Sequence, residues 1–161
     1  MALARTQELL TQGSAVSVRL EDTLRQELKA HGADGGRVLL AGPDLRLSPK
    51  VAQALGMAFH ELATNASKYG ALRQDGAQLK VSWRTVPGRH AEHVVIVWRE
   101  TGVALENPPT RRGFGAETLE RSLPYMLGGD SRVEYHSDGV EWTIRFPAAG
   151  AGTSVPDEVE D

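Results

Sequence analysis

The sequence predicts an α+β fold, a two-layer sandwich of helices on a sheet whose last strands run antiparallel. Three observations carry this expectation. From Pro49 to Tyr69 the apolar residues Val51, Leu55, Ala58, Phe59, Leu62 and Ala66 recur at three and four, the period of one face of a long helix. From Leu79 to Arg84 the residues Leu79, Val81 and Trp83 alternate with polar neighbours, the period of a half-buried strand. Towards the C-terminus, Ser131 to His136 and Val140 to Phe146 flank Ser137-Asp138-Gly139, a hairpin signal with Asp-Gly at the turn. A helix with one apolar stripe and a sheet with one apolar face are satisfied by covering each other.

In chain order, Met1 to Gln12 sets Leu3, Leu9 and Leu10 among polar residues, a weakly amphipathic helix that ends near Gly13 and resembles the tail of a longer one. Arg19 to Ala30 repeats Leu20, Leu24 and Leu28 every fourth residue and is closed by the glycine-containing stretch His31 to Gly36, which predicts a second helix. Val38, Leu39 and Leu40 within Arg37 to Ala41 predict a short buried strand, and Gly42-Pro43-Asp44 a turn. Ser48 can cap free helix amides, and Pro49 loses no hydrogen bond in a first turn, so the long helix starts there and runs to Tyr69-Gly70. Val94 to Trp98 predicts the partner of the Leu79 to Arg84 strand, with Val86 to His90 as the turn between them. Thr101 to Arg112 has no period and is rich in Gly, Pro and charge, a loop long enough to imply function. Ala116 to Leu127 reads as a helix whose last turn Pro124 should distort. Ala148 to Asp161 is small and acidic, as a frayed tail would be.

Composition narrows the function classes. The 161 residues suffice for one domain, with 40% apolar and 24% charged residues in the globular range. The absence of cysteine removes disulfides, thiolate metal sites, iron–sulfur clusters and a cysteine nucleophile, and fits a reducing cytoplasm. A formal charge of −3 offers no global attraction to nucleic acid or an acidic membrane. No apolar run reaches the ~20 residues of a membrane span, and the N-terminus has no signal-peptide core. The expected setting is therefore cytoplasmic, with neither nucleic acid nor membrane as partner. Trp83, Trp98 and Trp142 are expected to fill core.

Three segments can carry chemistry. In Phe59-His60-Glu61-Leu62-Ala63-Thr64-Asn65-Ala66-Ser67-Lys68-Tyr69-Gly70, Glu61 and Asn65 are helical neighbours and Lys68 lies one turn on, away from the apolar stripe of Leu55, Ala58, Leu62 and Ala66. A carboxylate, an amide and an ammonium in that line suit a nucleoside triphosphate. The amide oxygen can ligate Mg²⁺, the lysine can neutralise phosphate and the carboxylate can take a proton. The same residues also fit a solvated helix face. In Trp98-Arg99-Glu100-Thr101-Gly102 a strand ends on an acid that can accept from an exocyclic amine, beside a glycine that admits a flat base; an ordinary strand-to-loop transition looks alike. In Arg111-Arg112-Gly113-Phe114-Gly115, ahead of a helix, two glycines let amides turn towards an anion, or form a hinge.

The order and spacing of these segments resemble the ATP-binding domain of sensor histidine kinases, specifically the HWE family within the GHKL group of ATPases and kinases. His60 to Leu72 is similar to that family's N box, including the histidine of its name; Trp98-Arg99-Glu100 is similar to its W-x-E G1 box and Gly113-Phe114-Gly115 to its G2 box. Thr6 to Leu10, Gly42 to Asp44 and Leu127 to Gly129 extend the resemblance over roughly Ala2 to Pro147. It implies a GHKL (Bergerat) sandwich with helices on one face of a mixed, mostly antiparallel sheet, and ATP with Mg²⁺ as cofactors. Asn65 would be the Mg²⁺ ligand, Lys68 a phosphate contact and Glu61 the general base, while His60 would either assist or merely pack between helices. Tyr69 would lie beside base or ribose. Glu100, next to Gly102, would take the place of the aspartate that recognises the adenine amine, and Thr143 would support it through a water. Thr101 to Arg112 would be the lid, with Gly113, Phe114 and Gly115 at the phosphates.

The family continues after Gly102 with a second glycine and a proline, where this chain has Val103 and Ala104, which bears on lid flexibility and nucleotide affinity. On this reading residues 1–12 are a remnant of the helical dimerisation region, 13–147 the catalytic domain and 148–161 a disordered acidic tail. None of His31, His60, His90, His93 and His136 lies on a candidate phosphoacceptor helix. The implied partners are a histidine-bearing dimerisation domain and a response-regulator receiver domain. The implied function is transfer of the ATP γ-phosphoryl group to that histidine. The rival expectations are a nucleotide-sensing or degenerate adaptor that docks a partner, favoured by Val103 and Ala104, and a GHKL serine kinase of the anti-sigma type.

Overall fold

A computed structural model describes residues 17–33, 36–104, 118–148 and 151–152. The first expected helix, residues 105–112 of the expected lid, Gly113, Phe114, Gly115 and residues 153–161 lie outside them.

Among the described residues twelve elements follow one another: β1 (Val18–Arg19), α1 (Leu20–Ala30), β2 (Val38–Ala41), β3 (Arg46–Leu47), α2 (Pro49–Tyr69), β4 (Gln78–Val86), β5 (His93–Thr101), a π-helical turn (Thr118–Ser122), α3 (Leu123–Leu127), β6 (Asp130–His136), β7 (Gly139–Pro147) and β8 (Ala151–Gly152). The five-stranded sheet runs β2-β4-β5-β7-β6, parallel between β2 and β4 and antiparallel elsewhere. A small sheet, β1-β3-β8, stands apart. The fold is the expected α+β arrangement, with a mixed and mostly antiparallel sheet.

Sequence explains where α2 sits. Ser48 accepts a hydrogen bond from the Val51 amide at 3.3 Å, Pro49 occupies the first turn, and the helix runs 21 residues to Tyr69. Its Ala54, Leu55, Ala58, Phe59, Leu62, Ala63 and Ala66 are buried. They join Leu20, Leu24 and Leu28 of α1, Leu123 and Leu127 of α3, and Leu79, Val81, Ile96, Trp98, Trp142 and Ile144 of the sheet in one core. Gln78, Lys80 and Arg84 alternate with the buried residues of β4 and are exposed, so the opposite face of that strand is open to solvent. Trp83, Trp98 and Trp142 are all buried, as expected.

Several expectations shift in detail. The register pairs His136 with Gly139, so Ser137-Asp138 alone make the turn and Gly139 opens β7, where a side chain would collide with the Glu100 carbonyl. The Pro124 distortion falls before the proline rather than after it. Pro124 has no amide for an α-type bond, and the widened turn Thr118–Ser122 precedes it. β4 and β5 run longer than their alternating cores, with the pairing continuing from Gln78–Thr101 to Val86–His93. Within the expected tail, Ala148 donates to the Glu92 carbonyl at 2.8 Å, and β8 pairs with β3.

Candidate functional site

The exposed flank of α2 carries the first group. Glu61 and Asn65 are half-buried and Lys68 is exposed, while Leu55, Ala58, Leu62 and Ala66 point into the core with at most 1% exposure. None of the Glu61, Asn65 and Lys68 side chains has a hydrogen-bond or ion-pair partner among the described residues. A half-buried amide left without a protein partner is a group available to a ligand. The spacing 61, 65, 68 places a carboxylate, an amide oxygen and an ammonium along one line of the helix. Hard oxygen donors beside a cation suit a magnesium–phosphate ligand.

His60 stands a quarter-turn away from that line. Its Nδ1 lies 3.1 Å from the Glu27 carboxylate on α1. Tyr69 ends α2 and is 68% exposed.

Glu100 stands at the end of β5. It is the one buried charged residue among those described, and both of its oxygens are held: the Ala71 amide donates to Oε1 at 2.8 Å and the Trp98 indole to Oε2 at 3.0 Å. Each oxygen keeps a second lone pair. Burial pushes the carboxyl above its ordinary range, opposed by the two N–H groups and the Arg99 charge. Gly70 is required here, because a Cβ would collide with Oε1. The W-x-E motif thus ties the end of β5 to Ala71, two residues beyond α2.

Gly102 follows with φ +72°, and a side chain there would sit 3.1 Å from the Gly76 carbonyl, so the backbone crosses closely. Val103 is buried and donates to the Asp138 carbonyl at 2.9 Å, and the Ala104 amide donates to the Gln74 side chain at 3.0 Å. The residues that depart from the family pattern therefore anchor the base of the loop on two sides. Arg99 completes this corner, donating to Asp138 at 2.7 Å and to the Glu100 carbonyl at 2.5 Å. Its donation holds the Asp138 carboxyl below the usual range.

Thr143 does not belong with Glu100. It pairs with Val97, an odd number of residues from Glu100, which pairs with Val140. Side chains alternate between faces, so Thr143 faces the side opposite Glu100 and cannot share a water with it. The residue across from Glu100 is Val140, which has no hydroxyl. Sequence reasoning missed Ala71, Gln74 and Asp138, since backbone donors and loop-capping side chains leave no periodic mark.

No protein-family model matches the chain. It is 31% identical over 149 residues to the blue-light-activated histidine kinase of Rhizobium johnstonii, covering 92% of this chain and 42% of that protein. It is 30% identical over 151 residues to blue-light-activated histidine kinase 1 of Erythrobacter litoralis, covering 91% and 41%. The chain thus spans about two fifths of the length of these curated relatives. Among solved structures, the histidine kinase domain of the Erythrobacter litoralis EL346 blue-light activated histidine kinase superposes with a TM-score of 0.59 at 16% identity, over 77% of this chain and 57% of that one. The catalytic domain of the histidine kinase ThkA gives 0.57 at 13% identity, over 82% and 94%. At those identities the structural likeness speaks to the fold.

Proposed function

The chain belongs to the HWE-type histidine kinases, as their C-terminal catalytic domain, and from that premise we propose that it binds Mg·ATP and transfers the γ-phosphoryl group to a histidine of a dimerisation domain. The observation that supports this best is the line of Glu61, Asn65 and Lys68 on α2, half-buried or exposed and without internal partners among the described residues.

Bound nucleotide supplies the activated phosphoryl group and the metal its charge neutralisation. In this reading the Asn65 amide oxygen holds Mg²⁺ and the Lys68 ammonium contacts phosphate. The Glu61 carboxylate takes the proton from the acceptor imidazole as it attacks. Tyr69 lies against the base or ribose, and Gly102 gives the flat ring close approach. Glu100 positions the pocket floor through Ala71 and Trp98, and its second lone pairs receive the adenine amine. Gly113, Phe114 and Gly115 complete the phosphate contacts. Such chemistry needs mainly positioning and charge stabilisation. The phosphorylated histidine would then pass its phosphoryl group to an aspartate of a response-regulator receiver. No described helix is long and apolar enough to cross a membrane, and we place the activity in the cytoplasm.

The experiment is transfer of labelled γ-phosphate from ATP to an added histidine-bearing dimerisation domain. Transfer supports the reading; tight Mg·ATP binding with no transfer to any acceptor would favour a nucleotide-sensing adaptor. The buried Val103 and the tethered Ala104 amide, which stiffen the loop base, are what that second reading has in its favour.

A further inference from the structure

We propose that Glu27, His31 and His60 form a site for a borderline divalent cation, best matched by Zn²⁺, that bridges α1 and α2 on the flank next to the Glu61, Asn65 and Lys68 line. One ligand atom from each of the three residues lies within 4.8 Å of the others. Glu27 and His31 are one turn apart at the C-terminal end of α1, and His60 comes from the middle of α2, so the site joins two elements rather than following one.

The histidine geometry favours a metal. His31 Nδ1 lies 2.9 Å from the Glu27 main-chain carbonyl, which can only accept, so Nδ1 carries the proton and Nε2 offers its lone pair. A carbonyl behind the non-ligating nitrogen is the usual way a metal-bound imidazole is oriented. Among the described residues Nε2 meets only the Thr64 hydroxyl, at 3.1 Å, a neutral partner that can rotate away. The His60 ring stands edge-on to His31 with centroids 5.3 Å apart, and its Nδ1 is 3.1 Å from Glu27 Oε2. Two imidazoles and one carboxylate form a mixed nitrogen–oxygen set of three, which suits Zn²⁺ with a fourth position left for water and does not suit Mg²⁺. His60 is 57% exposed, which leaves an entry path.

The other three-residue cluster, Glu134, His136 and Glu141 on β6 and β7, is weaker. Arg132 stands 3.6 Å from Glu134 and Arg99 3.9 Å from Glu141, so its acids already face cations. No arginine or lysine is paired with Glu27 among the described residues.

The test is calorimetric titration of the full 161-residue chain with Zn²⁺ in metal-free buffer without nucleotide, alongside thermal unfolding with and without the ion. Saturable binding of one equivalent, a raised melting temperature and no displacement by excess Mg²⁺ are expected. His60→Gln and Glu27→Gln should each weaken binding by more than roughly tenfold, at least what loss of an outer partner costs such sites. His136→Gln should leave it unchanged. Absence of saturable Zn²⁺ binding to the wild-type chain overturns the proposal. So does wild-type affinity in His60→Gln, or loss confined to His136→Gln. His60 is exposed, so a folded variant, checked by circular dichroism, is expected.

Discussion

The Ala71 amide, two residues beyond the end of α2, donates to the buried Glu100 carboxylate at the end of β5 at 2.8 Å. One bond between residues 29 apart in sequence thus fixes the helix that carries Glu61, Asn65 and Lys68 against the strand that leads into the loop. The Trp98 indole locks the second oxygen at 3.0 Å, so the side chain has little freedom to turn.

Gly70 leaves the space in which this bond forms. Gly70→Ala would drive a methyl group into Glu100 Oε1 and separate it from Ala71. The expected cost is about 1–3 kcal/mol, as for other overpacked sites, visible as a lowered urea midpoint. An unchanged midpoint would mean that the carboxylate is not held there.

The Glu100 carboxyl is raised above its ordinary value of 4.5, chiefly by burial. A group that binds its proton more tightly when folded contributes stability below its unfolded pKa, and that contribution is lost as pH rises through the folded value. The stability of the wild type relative to Glu100→Gln should therefore fall as pH increases from about 4.5 towards neutrality. Urea unfolding of both proteins across that window checks the slope. A difference that rises with pH contradicts it.

Thr143 sits on the face away from Glu100. Thr143→Val should change Mg·ATP affinity less than twofold and stability by no more than about 0.5 kcal/mol, the range of partly exposed positions. A clear loss of nucleotide affinity by calorimetry would return the residue to the pocket.

Glu61 has no internal partner among the described residues. Glu61→Gln should keep Mg·ATP affinity and melting temperature while lowering phosphoryl transfer to an acceptor domain by about 10²-fold or more, the usual worth of a positioned base. Retained transfer would remove the base assignment.

The fold was legible where a period was long enough to read. Ser48-Pro49 marked the first turn of α2, and the recurrence from Val51 to Ala66 identified its buried side, because cap and stripe are local properties. The two-residue strands Val18–Arg19, Arg46–Leu47 and Ala151–Gly152 were not legible, since two residues hold no period. Within the site, Glu61, Asn65 and Lys68 could be aligned from spacing alone. The placement of Thr143 could not, because the face of a strand residue depends on a register that only the partner strand sets. The contacts of Glu100 were hidden too: a motif names a carboxylate, whereas its donors, a backbone amide and an indole, come from the folded chain.

The most direct measurement is a calorimetric titration of the wild-type chain and Asn65→Ala with ATP in the presence and absence of Mg²⁺. The wild type should bind with a magnesium-dependent affinity. Asn65→Ala should lose that dependence and at least about 1.4 kcal/mol of binding, a factor of ten, while unfolding at the same temperature. Equal affinities for the two proteins, or binding indifferent to magnesium, would contradict the account.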